Sequence, residues 1–122
     1  MIVLDTSVLI DVLRGDVAAA RFATSLDEVP ACSEITRVEI LRGLRSNERR
    51  PAERLFATLR WVPVDEAIAR KAGEFGRSFR GSHRGVSTPD LIVAGTADVL
   101  DARLATMNVR DFPMFKGLRA PY

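Results

Sequence analysis

The feature that most limits how this chain can fold is an alternation of short β-branched, apolar runs with longer stretches whose apolar residues recur every three or four positions. Ile2, Val3 and Leu4 form the first such run, ended by Asp5, Thr6 and Ser7, after which Val8, Leu9, Val12 and Leu13 carry helical spacing. That helix should stop at Arg14 and Gly15, and a second should cover residues 17–26. Residues 30–33 read as a short strand. Val38, Ile40, Leu41 and Leu44 then mark an amphipathic helix from Thr36 to about residue 46, and Leu55, Phe56 and Leu59 mark another. Trp61 to Val64 reads as a strand followed by a helix capped by Asp65, with Ala69, Ala72, Phe75 and Phe79 on one side. Residues 81–87 are the strongest loop signal. Thr88 as N-cap and Pro89 as first helical residue open a helix through Ile92, Val93, Ala94 and Ala97. Residues 103–106 read as a strand, and residues 109–118 as a loop with a last brief strand. Strands alternating with helices predict an α/β fold of three layers, a central, mostly parallel sheet flanked by helices. In such open sheets the groups that act lie beyond the carboxyl ends of the strands, near the point where strand order reverses.

A chain of 122 residues, 47% hydrophobic, fits a single domain spanning residues 1–122 with its own core. One cysteine, Cys32, cannot form an internal disulfide, and one histidine, His83, leaves almost no material for zinc, haem or Cys-His and Ser-His chemistry. Eighteen basic against sixteen acidic residues give a net charge of +2, too near neutral to establish nucleic-acid affinity by itself. Lys71 and Lys116 are the only lysines. The arginine excess suits forked contacts to phosphate or carboxylate, and a GC-rich coding sequence would give the same bias. The opening MIVLD turns acidic after four apolar residues and carries no basic leader, and no apolar run approaches the ~20 residues of a bilayer span; a cytoplasmic protein is the expectation.

Four acids stand where such a sheet collects function. Asp5 follows the first strand, where it is equally a helix N-cap. Glu39 lies among Val38, Ile40 and Leu41, where it is equally a solvated partner of Arg42 at i, i+3. Asp90 opens a helix, a place the helix dipole favours for a carboxylate, and Asp111 follows a strand in a loop where aspartate is a common turn residue. Singly each has that ordinary explanation. Jointly, Asp5, Asp90 and Asp111 fall at strand ends or helix starts that gather on one sheet edge, and Glu39 can join them. Carboxylates so close raise one another's pKa and destabilise a fold unless a cation neutralises them. Oxygen ligands select Mg²⁺ or Mn²⁺, and such an ion with its waters leaves room for a phosphate, so metal-activated hydrolysis is the chemistry this inventory supports.

The strings IVLDTSVLIDVL, TRVEILRGL, STPDLIVAGTA and ATMNVRDF resemble, in order and spacing, the PIN-domain ribonucleases of the VapC toxin type, over essentially residues 1–118. The resemblance implies a Rossmann-like sheet and a metal-dependent endoribonuclease, the toxin of a toxin–antitoxin pair. It places the family's acidic cluster on Asp5, Glu39, Asp90 and Asp111. Asp5 and Asp90 would be the principal metal ligands, Asp111 would complete the site directly or through water, and Glu39 would orient metal-bound water or hold a second ion. Thr6, Ser7, Thr106 and Asn108 match supporting polar positions. Met107 departs from the family, which often has arginine there.

The resemblance further implies a VapB-type antitoxin that wraps a C-terminal segment over the early helices, near Leu9, Leu13, Phe22, Phe56 and Leu59, and projects a basic side chain into the cluster. Two toxin copies would pair as a homodimer, forming a heterotetramer or larger assembly with the antitoxin. Six arginines between residues 37 and 54, against Glu39, Glu48 and Glu53, leave a local +3 that suits either an RNA backbone or a solvated helical face; Arg42, Arg45 and, from the 81–87 loop, Arg84 are the candidate RNA contacts. His83 reads as a surface loop residue. Two rivals remain: a non-catalytic RNA-binding or scaffold protein of this fold, and a phosphoryl-accepting regulatory domain. The second would want an acidic pair beside Asp5 and a late lysine near the pocket, and Lys116 is the only late lysine.

Overall fold

A computed structural model describes residues 1–81 and 85–122. Among the described residues, four strands and six α-helices follow one another as β1 (Ile2–Leu4), α1 (Thr6–Leu13), α2 (Val17–Ser25), β2 (Ala31–Ser33), α3 (Glu34–Gly43), α4 (Arg49–Phe56), β3 (Arg60–Val62), α5 (Glu66–Phe79), α6 (Thr88–Val99) and β4 (Arg103–Ala105), with a closing 3₁₀ turn at Val109–Asp111. All strand pairs are parallel, in the order β3-β2-β1-β4. The chain therefore builds outward from β1 through β2 to β3, then returns to set β4 on the other side of β1. Strand order reverses between β1 and β4, which places the functional crevice at their carboxyl ends.

The strands are mostly apolar because both faces of the sheet are covered, with Arg60 and Arg103 exposed at the amino ends of β3 and β4. Alternate residues point to opposite faces. Ile2 and Leu4 thus join a buried cluster with Val8, Leu9 and Phe56, under α1 and α4. Val3 instead joins Val62, Ile68, Val93, Leu104 and Phe112, under α5 and α6. The two last helices pack at unusually short range. A Cβ at Gly95 would lie 2.9 Å from the Ile68 carbonyl oxygen and 3.1 Å from the Ala72 nitrogen. Only glycine lets α6 approach α5 so closely.

Several boundaries differ from the expectations. α3 starts at Glu34 rather than Thr36, because Ser33 caps it by accepting from Ile35 N–H at 3.2 Å. The cap of α6 is Ser87, whose hydroxyl accepts from Asp90 N–H, so Thr88 is already helical and Pro89 is its second residue. β3 begins and ends earlier than predicted, at Arg60 and Val62, since Pro63 cannot donate to a ladder. On α5, Ala69 faces solvent, and Ile68 is buried instead, together with Ala72. No strand forms in residues 109–118: a 3₁₀ turn and irregular chain lie there, broken by Pro113 and by Gly117 at φ +75°. Among the described residues no helix is long and apolar enough to cross a membrane.

Candidate active site

Register alone brings the first two site residues together. Leu4 pairs with Ala105, so the next residue on each strand, Asp5 and Thr106, leave the sheet side by side, and Asp5 N–H donates to the Ala105 carbonyl at 2.9 Å. Asp5 is 3% exposed. Its Oδ2 accepts from Thr106 Oγ1 at 2.7 Å and from Ser7 Oγ at 2.8 Å. Asp5 does stand at the N-cap position of α1, but its side chain makes no capping bond there. Hydroxyls hold the carboxylate instead. Those hydroxyls are themselves fixed, for Ser7 Oγ accepts from Met107 N–H at 3.2 Å and Thr106 Oγ1 from Asn108 N–H at 3.0 Å. Asn108 thus contributes its main chain to the cradle, and its carbonyl also accepts from Asp111 N–H at 2.9 Å.

Glu39 reaches the same end of the sheet from α3. Thr6 Oγ1 donates to Glu39 Oε1 at 2.8 Å and lies 3.0 Å from the hydroxyl of Thr36, which is fully buried. Among the described residues Glu39 forms no ion pair with Arg42, so its hydroxyl contact, not a surface pairing, sets its position. Asp90 sits half-buried in the first turn of α6, and Asp111 ends the 3₁₀ turn after β4. The Asp90 carboxyl is pushed up to about 6. Burial is the main cause, the Ser87 hydroxyl works against it, and the charges of Asp5, Asp111 and Glu39 add to it. The charges of the other three acids thus bear on Asp90 from the same end of the sheet.

None of the four carries an ion pair among the described residues. Nor, among those residues, do three or more acidic, histidine or cysteine side chains close into a ready metal-binding group. A hard cation does not require one: Mg²⁺ is commonly bound through one or two carboxylates and keeps several waters. The donor set fits such an ion, being all oxygen, crowded and electrostatically unrelieved.

Other candidates lie outside this arrangement. Arg42 and Arg45 are exposed, and the Arg45 main chain is tied to Glu48, which also pairs with Arg14 at 3.2 Å. Arg84 and His83 fall outside the described residues. Two contributors were not singled out in the sequence. Thr36 lies three residues before Glu39 on the same helical face, and Ser87 lies three before Asp90, the spacing of an N-cap; both spacings were readable signals.

An acidic crevice at the strand-order reversal of a parallel sheet, built on carboxylates that hydroxyls orient, defines a nuclease-type α/β protein. Residues 2–116 match the PIN domain family. The chain is similar to Ribonuclease VapC19 of Mycobacterium tuberculosis, 44% identical over 125 residues and covering 100% of both chains. It is similar also to Ribonuclease VapC10 of that organism, 44% identical over 124 residues, covering 100% of this chain and 93% of the relative. Its fold matches a chain of a toxin-antitoxin complex from Klebsiella pneumoniae with a TM-score of 0.86 at 24% identity, covering 100% of this chain and 98% of that one. The chain belongs to the PIN-domain family, among its VapC ribonuclease toxins.

Proposed function

We propose that the chain, acting as one domain over residues 1–122, is a Mg²⁺- or Mn²⁺-dependent endoribonuclease held in check by a VapB-type antitoxin. The observation that carries this reading is the unrelieved negative charge around Asp90, whose carboxyl is pushed up to about 6 first by burial and further by the charges of Asp5, Asp111 and Glu39. A divalent cation relieves that repulsion, and an all-oxygen site favours Mg²⁺ or Mn²⁺. In this reading Asp5 and Asp90 are the principal ligands, Asp111 completes the site directly or through water, and Glu39 orients a water or holds a second ion. When bound, the ion supplies Lewis acidity toward a phosphodiester oxygen and makes bound water more acidic.

The chain's own part is positioning. Ser7 and Thr106 both donate to Asp5 Oδ2, which leaves Oδ1 without a donor among the described residues and available to the crevice. Thr6 occupies Glu39 Oε1 and leaves Oε2 to take a proton or align a water. Arg42, Arg45 and Arg84 would follow the RNA backbone at its margin. The antitoxin would lie over α1, α2 and α4, where an apolar groove of about 370 Å³ includes Leu9, Val12, Leu26 and Leu59. Two toxin copies would pair as a homodimer, assembling with the antitoxin into a heterotetramer or larger complex in the cytoplasm.

The decisive experiment incubates the purified protein with total RNA. Cleavage in Mg²⁺, its loss on chelation and its return with Mn²⁺ are expected, with Asp90→Asn inert throughout. Cleavage that survives chelation would overturn the metal reading, and RNA binding without cleavage would favour a non-catalytic binding domain.

A further inference from the structure

Residues 113–122 cross the outer edge of the sheet from one face to the other. β4 pairs with β1 alone, so its far side is that edge. On one face Phe115 and Leu118 pack against the buried cluster that holds Val3, Val93 and Leu104. On the other face Tyr122 packs against the cluster of Ile2, Leu4 and Val8, its ring 5.9 Å from that of Phe22 on α2. Gly117, at φ +75°, supplies a bend between them. Among the described residues no backbone hydrogen bond joins the segment to β4. A groove of about 590 Å³ separates the two, lined by Arg103 and Leu104 from the strand and by Lys116 and Arg119 from the segment, with no acid in its lining. No ion pair fastens segment to strand among the described residues. One polar side-chain contact closes the crossing: the Tyr122 hydroxyl donates to Asp11 Oδ2 on α1 at 2.7 Å. Burial, and then that carboxylate, push the phenol up from its ordinary value, so it keeps the proton it donates.

We propose that residues 113–122 are a strap, latched by Tyr122 on Asp11, that opens while the domain stays folded and whose closure keeps β4 from pairing with the β4 of a second copy. An edge strand presents unpaired main-chain groups to any other strand and has to be covered or guarded. Arg103 N–H donates to the Met1 carbonyl and the Ala105 carbonyl accepts from Asp5 N–H, so residues 103 and 105 direct their main chain at β1. Alternation along a parallel ladder turns the N–H and C=O of Leu104 outward, beneath the strap. A cover that shares no ladder bond with the edge comes away without breaking the sheet, and local opening draws on segments held in this way. The latch is what distinguishes this cover from a loop merely lying on the surface. Fully buried Phe112 pins the chain just ahead of the strap, so opening leaves Asp111 in place. The strap is therefore independent of the proposed nuclease activity.

The test is limited tryptic digestion of the full chain read by mass spectrometry, because Lys116 and Arg119 lie in the strap and cutting there follows the population of the open form. Tyr122→Phe keeps the ring and loses the hydroxyl; it should be cut at these two sites about 10-fold faster than the parent, and Asp11→Ala equally so. Combined, the two should add nothing to either alone, since both remove one bond. Tyr122→Ala also loses the packing on Phe22. It should be cut faster still and, in sedimentation velocity at rising concentration, form species larger than the parent's. In those species hydrogen exchange at the Leu104 amide should slow, because pairing gives that N–H an acceptor. If Tyr122→Ala does not fold by circular dichroism, Tyr122→Phe carries the sedimentation and exchange measurements. Unchanged cutting of Tyr122→Phe, additive effects of the two substitutions, sedimentation identical to the parent's, or larger species without protection at Leu104 would each overturn the proposal.

Discussion

Two charged regions of this molecule are built on opposite principles. Beside α3 and α4, two arginines are matched by acids: Arg37 donates to Glu34 at 2.6 Å and lies 4.1 Å from the Trp61 ring centroid, and Arg14 pairs with Glu48. At the carboxyl end of β1 and β4, charges of one sign are gathered, and only hydroxyls and main-chain groups accompany them among the described residues. The first arrangement serves the fold, tying helices to each other and to β3. The second works against the fold, since each carboxylate raises the cost of ionising the next. A region that spends stability in this way marks where the molecule meets a ligand, and the contrast can be tested one side at a time.

The largest effect belongs to the acids. Asp5→Asn and Asp90→Asn should each lower RNA cleavage at least ~100-fold, about 3 kcal/mol of lost transition-state stabilisation. Without metal, neither should lower the thermal midpoint, and calorimetry should find Asp90→Asn equal to or above the parent. A large loss of stability with the loss of cleavage would erase the distinction between the two regions. Thr106→Val should come next, because it removes one of two hydroxyls that hold Asp5 Oδ2 and leaves Ser7 in place. Removing such a supporting hydrogen bond should weaken Mg²⁺ affinity about 10-fold or somewhat more, read by titrating cleavage against metal.

The legible part of this molecule was its periodicity. Alternating apolar runs and helical spacings gave away the parallel sheet, and the position of Asp5 directly after Ile2–Leu4 followed from it. The fold of the site was harder where one side chain had two uses. Asp5 at a helix start looks like a cap, and only the register of β1 on β4, a pairing across a hundred residues, shows its carboxylate held by Thr106 instead. Thr36 carries in the sequence only its three-residue spacing to Glu39, and its burial against Thr6 depends on the packing of α1 on α3. Ser87 and Thr88 are both good caps, and only the hydrogen bond from Asp90 N–H selects Ser87 and starts the helix at Thr88. The last strand failed for a local reason, Pro113 and the left-handed Gly117, which the apolar residues around them masked.

On the matched side, Arg37→Ala should cost about 1 kcal/mol in chemical denaturation. It removes the stacking over Trp61 and the pairing with Glu34, both partly solvent-exposed. Cleavage per folded molecule should be unchanged, because Arg37 touches none of the four acids. A cleavage defect without a stability defect would mean that this arginine contacts substrate and that the α3–α4 charges are not structural after all.

The smallest effect is also the one whose sign separates the two regions most cleanly. Asp90 keeps its proton in the folded protein up to about pH 6, whereas the unfolded chain releases it near the ordinary value of 3.8. Between those values the folded state binds more protons than the unfolded state, so stability falls as pH rises. The contribution is fully present below pH 3.8 and gone above about 6. Because Asp90 is only half-buried, solvent screening reduces the effect to about 1 kcal/mol. Glu34, held below its ordinary value by Arg37, has the opposite sign: its contribution is present above its unfolded pKa and lost on acidification. Denaturation midpoints of the parent and Asp90→Asn between pH 4 and 7 should therefore diverge as pH rises, with the variant gaining on the parent. Added Mg²⁺ should close the gap near pH 7 by binding the deprotonated parent site. Parallel midpoints without metal would mean that the crowding at Asp90 is relieved by something other than a cation, and the reading of the crevice as a metal site would have to be given up.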